Sequence, residues 1–270
     1  MTDNNQLIEH IVTNFSKFEE VEGILLAGST TSQTSDQYSD IDLYVYLTKD
    51  LPISKKEKVI DKIASYKELS NQFWETEDCF KITNSELKME IMYRSVEWIA
   101  DQLERTLIRC ESWVGYTTCF WDNFKNSKIL FDKNGRLKNL QTKYDLKYPE
   151  KLKENIVAKN YPLLKDILSS YYNQIELALN RKDFVSINHR VAAFLASYFD
   201  VLFAINEIPN PGEKKLVNFV KNKCSKMPVN FETNINDLFK NLFTEKVLDH
   251  LIKLVDNITI LLKQENLLKK

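Results

Sequence analysis

The hydrophobic pattern of the chain changes character near residue 140, and this change constrains the fold more than any other feature. Before it, the short runs EGILLAGS, IDLYVYL, FWETEDCFKI, KMEIMYRS and KILFDKNG, rich in Ile, Val, Phe and Tyr, read as strands. They alternate with NQLIEHIVTNFSKF, SKKEKVIDKIASYK and VEWIADQLERTLIRC, whose apolar residues recur at helical spacing. After DLKYPE, where Tyr148-Pro149 reads as an extended joint, helical periodicity takes over, as in PLLKDILSSYYNQIELALN, SINHRVAAFLASYFDVLFAIN and KVLDHLIKLVDNITILLKQ. The pattern predicts an α+β domain over residues 1–140 and an all-α helical bundle over 150–270. The aromatic stripe Phe194, Tyr198, Phe199 and Phe203 has helical spacing and reads as core.

Charge and cysteine usage narrow the function classes. With 37 basic and 38 acidic side chains the net charge is −1, so no global field draws a phosphate backbone, and nucleic acid is not an expected partner. Cys79, Cys110, Cys119 and Cys224 lie far apart, without a Cys-x-x-Cys pair or a neighbouring histidine; they read as reduced, buried thiols rather than a zinc site. The opening MTDNNQLIEHIV lacks the basic start and apolar run of a signal peptide, and no apolar stretch approaches the ~18 residues of a membrane span. The expectation is a cytoplasmic protein with no membrane partner; a homodimer stays open.

The chemistry concentrates between two apolar runs, in GILLAGSTTSQTSDQYSDIDLYVYL. Gly28-Ser29 ends the first run with a residue of wide backbone freedom and a small hydroxyl, a turn able to aim N–H groups and the Ser29 hydroxyl at phosphate oxygens. In the second run, side chains two apart share a face, so Asp40 and Asp42 point together. Two carboxylates beside a phosphate-cradling turn suit Mg²⁺, which takes hard oxygen ligands. Holding two such ions requires a further acid, and Glu90 in the apolar strand pattern ELKMEIMYRS supplies one. The plainer alternative makes Asp40 and Asp42 solvent-facing residues of an edge strand and Gly28-Ser29 an ordinary turn. Neither a Walker loop nor an EF-hand matches, since Gly-Lys-Ser/Thr and the calcium-loop spacing are missing.

Together, Gly28-Ser29, a polar spacer, Asp40-x-Asp42 on a strand and Glu90 on a later strand resemble the nucleotidyltransferase fold of the DNA polymerase beta superfamily, which includes lincosamide and aminoglycoside nucleotidyltransferases. The resemblance implies a mixed sheet with flanking helices. It further implies that Gly28 and Ser29 bind a nucleoside triphosphate while Asp40, Asp42 and Glu90 hold two Mg²⁺ ions. By family habit the donor is ATP, and the acceptor is a hydroxylated small molecule such as an antibiotic. The alternatives are nucleotidylation of a protein or RNA end, and a non-catalytic nucleotide-binding or antitoxin-like module. WETEDCF, MEIMYRS, GYTTCFWDN, ILFDKNG, SINHRVAAFLASYFDVLFAIN and PNPGEKKL are similar to a bacterial group of these enzymes with a helical second domain; that group tends to carry a histidine where this chain has Asp122.

Other polar positions are less specific. Lys214, after the Pro-Gly turn of AINEIPNPGEKKL, reads as a nucleotide-binding ammonium, or else as part of the start of a solvent-exposed helix, with Asn206 on the other side of the turn. His189, in an apolar helix, reads as a structural residue. Tyr116, Thr117 and Thr118 read either as an acceptor pocket or as a half-buried strand, and Asp132, beside the Gly135 turn, is assigned no chemistry.

Overall fold

The structure, a computed structural model, describes residues 4–27, 40–73 and 75–268, so Gly28 and Ser29 lie outside the described residues. Two compact units make up the chain: Met1–Glu104 with Asn123–Leu146, and Arg105–Asp122 with Lys147–Lys270. Residues 105–122, inside the span read as the first domain, thus belong to the helical unit.

The first unit contains α1 (Asn4–Phe15), β1 (Val21–Ala27), β2 (Ile41–Leu47), α2 (Ile53–Ile60), β3 (Ala64–Asn71), β4 (Glu77–Ile82), β5 (Lys88–Arg94) and α3 (Val96–Leu103). The unit boundary falls within α4 (Cys119–Asn126), after which β6 (Lys128–Asp132) and α5 (Arg136–Lys143) complete it. Its strands form one mixed sheet in the order β3-β4-β5-β2-β1-β6, in which β2 and β5 are parallel and the other neighbours antiparallel. β2 is therefore an interior strand, which rules out the edge-strand reading of the Asp-x-Asp segment.

Strand alternation sorts the two faces of this sheet. Ile41, Leu43, Val45 and Leu47 of β2, with Met89, Ile91 and Tyr93 of β5, enter one core with Leu7, Ile11 and Phe15 of α1 and Val59 and Ile60 of α2. The intervening residues Asp42, Tyr44, Tyr46, Glu90, Met92 and Arg94 take the opposite face. Part of that face is covered: the Tyr46 and Phe124 rings meet edge to face at 6.5 Å, and Leu137 of α5 lies against Gly23. A Cβ at Gly23 would stand 2.2 Å from Leu137 Cδ1, so the missing side chain lets α5 approach the sheet.

One helical expectation is corrected. The run SKKEKVIDKIASYK stops being helical after Ile60, and Ala64–Asn71 forms β3 against β4. β3 is an edge strand, and its Lys67 and Glu68 are the charges that protect such edges; at sequence level they resemble a solvated helix face. PLLKDILSSYYNQIELALN, helical by periodicity, is divided between the end of one helix and the whole of the next, which Ser170 caps by accepting from the Asn173 N–H.

The second unit holds α6 (Glu150–Leu164), α7 (Tyr171–Asn180), α8 (Phe184–Ile205), α9 (Leu216–Lys223), α10 (Phe231–Lys240) and α11 (Val247–Gln264). α8 is its axis. Phe194, Tyr198, Phe199 and Phe203 are all buried, with Phe194 stacked on Tyr198 and Phe203 on Phe199, as the aromatic stripe predicts. Among the described residues no helix is long and apolar enough to cross a membrane.

Candidate active site

Asp42 and Glu90 are register partners across the parallel β2–β5 pair. Partners in register share a face, and adjacent strands lie about 4.8 Å apart, so the two half-buried carboxylates stand side by side. Their frame is rigid, because Asp42 also pairs with Ala27 of β1 and Glu90 with Cys79 of β4. Ala27 immediately precedes Gly28 in sequence. Asp40, half-buried, lies just before β2 and two residues from Asp42.

The donor set suits Mg²⁺ in chemistry, being carboxylate oxygen. One or two carboxylates are what this ion usually takes, with water and phosphate completing the shell, so the Asp42–Glu90 pair meets the requirement for one ion. Among the described residues no group of three or more His, Cys, Asp or Glu side chains is gathered as a metal site. A second ion therefore depends on Asp40 and on phosphate oxygens, and remains a proposal.

The surroundings of the pair include residues that motif reading overlooks. Burial pushes the Cys79 thiol up to about 11, helped by the carboxylates of Glu77 and Glu90, so this neighbour of Glu90 stays protonated and neutral. Four residues along β5, the Arg94 guanidinium lies 4.5 Å above the Tyr44 ring and 4.4 Å from that of Trp98, and forms a two-point ion pair with Glu75 at 2.8 and 3.0 Å. The alternation that places Glu90 on this face also places Arg94 there, a signal available in MEIMYR.

The helical unit receives the remaining candidates. Lys214 is exposed in the segment leading into α9, and His189 is exposed on α8. Asn206 is structural: its amide donates to the carbonyls of Leu202 and Lys226, each at 2.9 Å, and its oxygen accepts from the Lys226 N–H at 2.8 Å. Asp122 is half-buried in the first turn of α4.

Tyr116, Thr117 and Thr118 form no strand; they lie in a loop and turn before α4. The Thr117 N–H donates to both carboxylate oxygens of buried Asp200, at 3.1 and 3.3 Å, and the Asn210 amide donates to the same group at 3.0 Å. Asn210 N–H in turn donates to Thr118 Oγ1 at 2.7 Å. Burial pushes the Asp200 carboxyl up to about 6 despite these donors. A lone acid in the apolar run ASYFDVLFAIN is the sequence signal for this network, since an acid buried there requires partners.

A family model described as a domain of unknown function (DUF4037) matches residues 118–215, a stretch that contains Thr118, Asp200 and Asn210. No curated protein matches the chain. Among solved structures, the chain is similar to the crystal structure of a nucleotidyltransferase-like protein from Exiguobacterium sibiricum 255-15. The identity is 11% and the TM-score 0.43, with 97% of this chain and 76% of that one covered.

Proposed function

We propose that the protein is a nucleotidyltransferase that moves a nucleoside monophosphate, with ATP as the proposed donor, onto a hydroxyl of a small-molecule acceptor and releases pyrophosphate. The observation that carries this reading is the Asp42–Glu90 register pair in the interior of a mixed sheet. Ala27 beside Asp42 leads directly in sequence to Gly28-Ser29, the proposed triphosphate-binding dipeptide. Lys214 is retained as a proposed phosphate contact on sequence grounds alone.

Asp42 and Glu90, with Asp40 as the third acid, are the residues that would hold Mg²⁺. When bound, Mg²⁺ neutralises triphosphate charge and acidifies a coordinated hydroxyl. The work of the chain itself is positioning: two neighbouring strands hold the acids at fixed spacing, while Gly28-Ser29 is the phosphate contact proposed on sequence grounds. Glu90 is the proposed acceptor of the hydroxyl proton. The acceptor oxygen forms its bond to the α-phosphorus as the bond to pyrophosphate breaks.

A nucleotide-binding module without turnover is the second reading, favoured because no three-ligand group is gathered among the described residues. Incubation of the full chain with α-phosphate-labelled ATP, GTP, CTP and UTP, Mg²⁺, and panels of hydroxylated small molecules, proteins and RNA separates the two. Labelled acceptor with stoichiometric pyrophosphate supports transfer. Retained, unconverted triphosphate supports the module, and the absence of both binding and product removes both readings.

A further inference from the structure

The loop of residues 113–118 is built with more constraint than a connection needs. Gly115 and Tyr116 are both in the left-handed region, at φ of 74° and 55°. A Cβ on Gly115 would stand 2.9 Å from Ala196 Cβ, so this loop packs directly on α8. Buried Asn160 accepts from the Gly115 N–H and donates to the Trp113 carbonyl, both at 2.9 Å, and Asp200 holds the Thr117 N–H on the other side. Gly115 adopts this region freely but Tyr116 is strained there, and strained residues persist where the surroundings overdetermine them and cluster at functional sites.

Tyr116 lines a cavity of about 310 Å³ within the helical unit. Leu195 and Phe199 of α8, Val217 of α9 and Ile235 of α10 supply apolar walls. Polar groups enter only from Tyr116, Asn188 and Glu213, and among the described residues no lysine, arginine or histidine lines it. Tyr116 and Glu213 both line the cavity, and burial, followed by the Glu213 carboxylate, raises the Tyr116 hydroxyl above its ordinary value. The cavity sits at the small end of ligand pockets, in which a few polar groups orient a mainly apolar guest.

We propose that this pocket binds a small molecule with a compact apolar body and one cationic amine, the body against Leu195, Phe199 and Val217 and the amine between Glu213 and the Tyr116 ring. The charge of the lining selects the amine: Glu213 attracts a cation and repels an anion, and the electron-rich face of Tyr116 adds to the attraction. The DUF4037 match covers Leu195, Phe199 and Glu213, so the proposal gives that stretch a binding role. It is independent of the nucleotidyl-transfer reading.

The test is isothermal titration of the full chain with three probes of one apolar body: 2-naphthylmethylamine, 2-naphthalenemethanol and 2-naphthoate. The expected order is amine, alcohol, carboxylate, with about tenfold between the first and last. Glu213→Gln should weaken the amine about fivefold and leave the alcohol within about twofold. Ala192→Phe, a change at an exposed position of the lining, should weaken all three, with thermal unfolding checking that the variant is folded. Absence of binding by all three probes, amine affinity unchanged relative to the alcohol in Glu213→Gln, or unaltered binding in folded Ala192→Phe overturns the proposal. Should Ala192→Phe not fold, the Glu213→Gln comparison decides alone.

Discussion

Asp42 and Glu90 stand opposite each other on parallel strands that are neighbours in the sheet but are separated in sequence by α2 and the β3–β4 hairpin. Like charges directly opposite on one face are unfavourable. Their pairing in the interior of the sheet makes them the point where metal chemistry is most directly tested.

Glu90→Gln keeps shape and removes charge, as does Asp42→Asn. Either should lower nucleotidyl transfer by at least about a hundredfold, because loss of even an outer-shell partner of a metal costs 10–100-fold. Equilibrium binding of a non-hydrolysable triphosphate should fall far less in Glu90→Gln than turnover does. Wild-type turnover in either folded variant would remove that carboxylate from the mechanism.

On the other face of the sheet, Lys56 and Asp78 form a buried ion pair at 3.1 Å. Asp78 also accepts from the Ser70 N–H at 2.6 Å and the Tyr93 hydroxyl at 2.5 Å, while the Lys56 ammonium lies 3.7 Å from the Tyr93 ring centre. Burial pulls the Lys56 ammonium below its ordinary value. Asp78→Leu, which leaves that ammonium without its counter-charge, should therefore destabilise the unit by about 3–5 kcal/mol. The double variant with Lys56→Met should recover part of that loss. Urea unfolding of both variants checks this, and a double variant no more stable than Asp78→Leu would show that the pair is not a coupled unit.

Periodicity makes β1, β2, β4, β5 and the long helices α8 and α11 legible from sequence, because their apolar faces are the ones they bury. It also puts Asp42 and Glu90 on strands. That these strands are parallel neighbours is not legible, since the pairing is long-range and the hairpin between them inserts elsewhere in the sheet. The same limit hides residues 105–122: the packing of Gly115 against Ala196 and the bonds to Asn160 and Asp200 join them to the helical unit, and no local pattern encodes those contacts. The Lys56–Asp78 pair is hidden for the same reason, because its members stand 22 residues apart in sequence and meet only in three dimensions. Gly28 and Ser29 lie outside the described residues, so their part in the site rests on sequence.

Gly115→Ala should be destructive for two independent reasons. An alanine at φ of 74° is strained, and its Cβ would meet Ala196 at 2.9 Å. A loss of roughly 1–3 kcal/mol is expected, with weaker probe binding in the Tyr116 cavity. Unfolding midpoints and titration of the naphthyl amine measure both effects; an alanine variant as stable as wild type would mean that the loop relaxes without loss.

Tyr198 is fully buried, and its hydroxyl has no hydrogen-bond partner among the described residues. Tyr198→Phe keeps the stacked contact with Phe194 and removes an oxygen that is stripped of water without return. The variant should be as stable as wild type or more stable by up to about 1 kcal/mol. Calorimetric destabilisation beyond about 1 kcal/mol would reveal a partner for the hydroxyl.

Asp200 gives the helical unit a pH response of known sign. Burial raises its carboxyl from 3.8 to about 6, so the folded chain favours the protonated form. Its stabilising contribution is fully present below 3.8 and is lost as pH rises through about 6. Asp200→Asn cannot ionise and removes this response. The free-energy difference between wild type and variant should change by about 2 kcal/mol between pH 4 and pH 7, wild type losing ground as pH rises. Any pH-independent effect of the amide on the Thr117 and Asn210 bonds appears as a constant offset at both ends, so the slope isolates the titration. Urea unfolding of both proteins across that interval measures it, and a flat difference would mean that the donors from Thr117 and Asn210 outweigh burial and keep the carboxylate ionised. The same carboxylate holds the loop that carries Tyr116, so where the slope is found, probe affinity in the adjoining cavity should change over the same interval of pH.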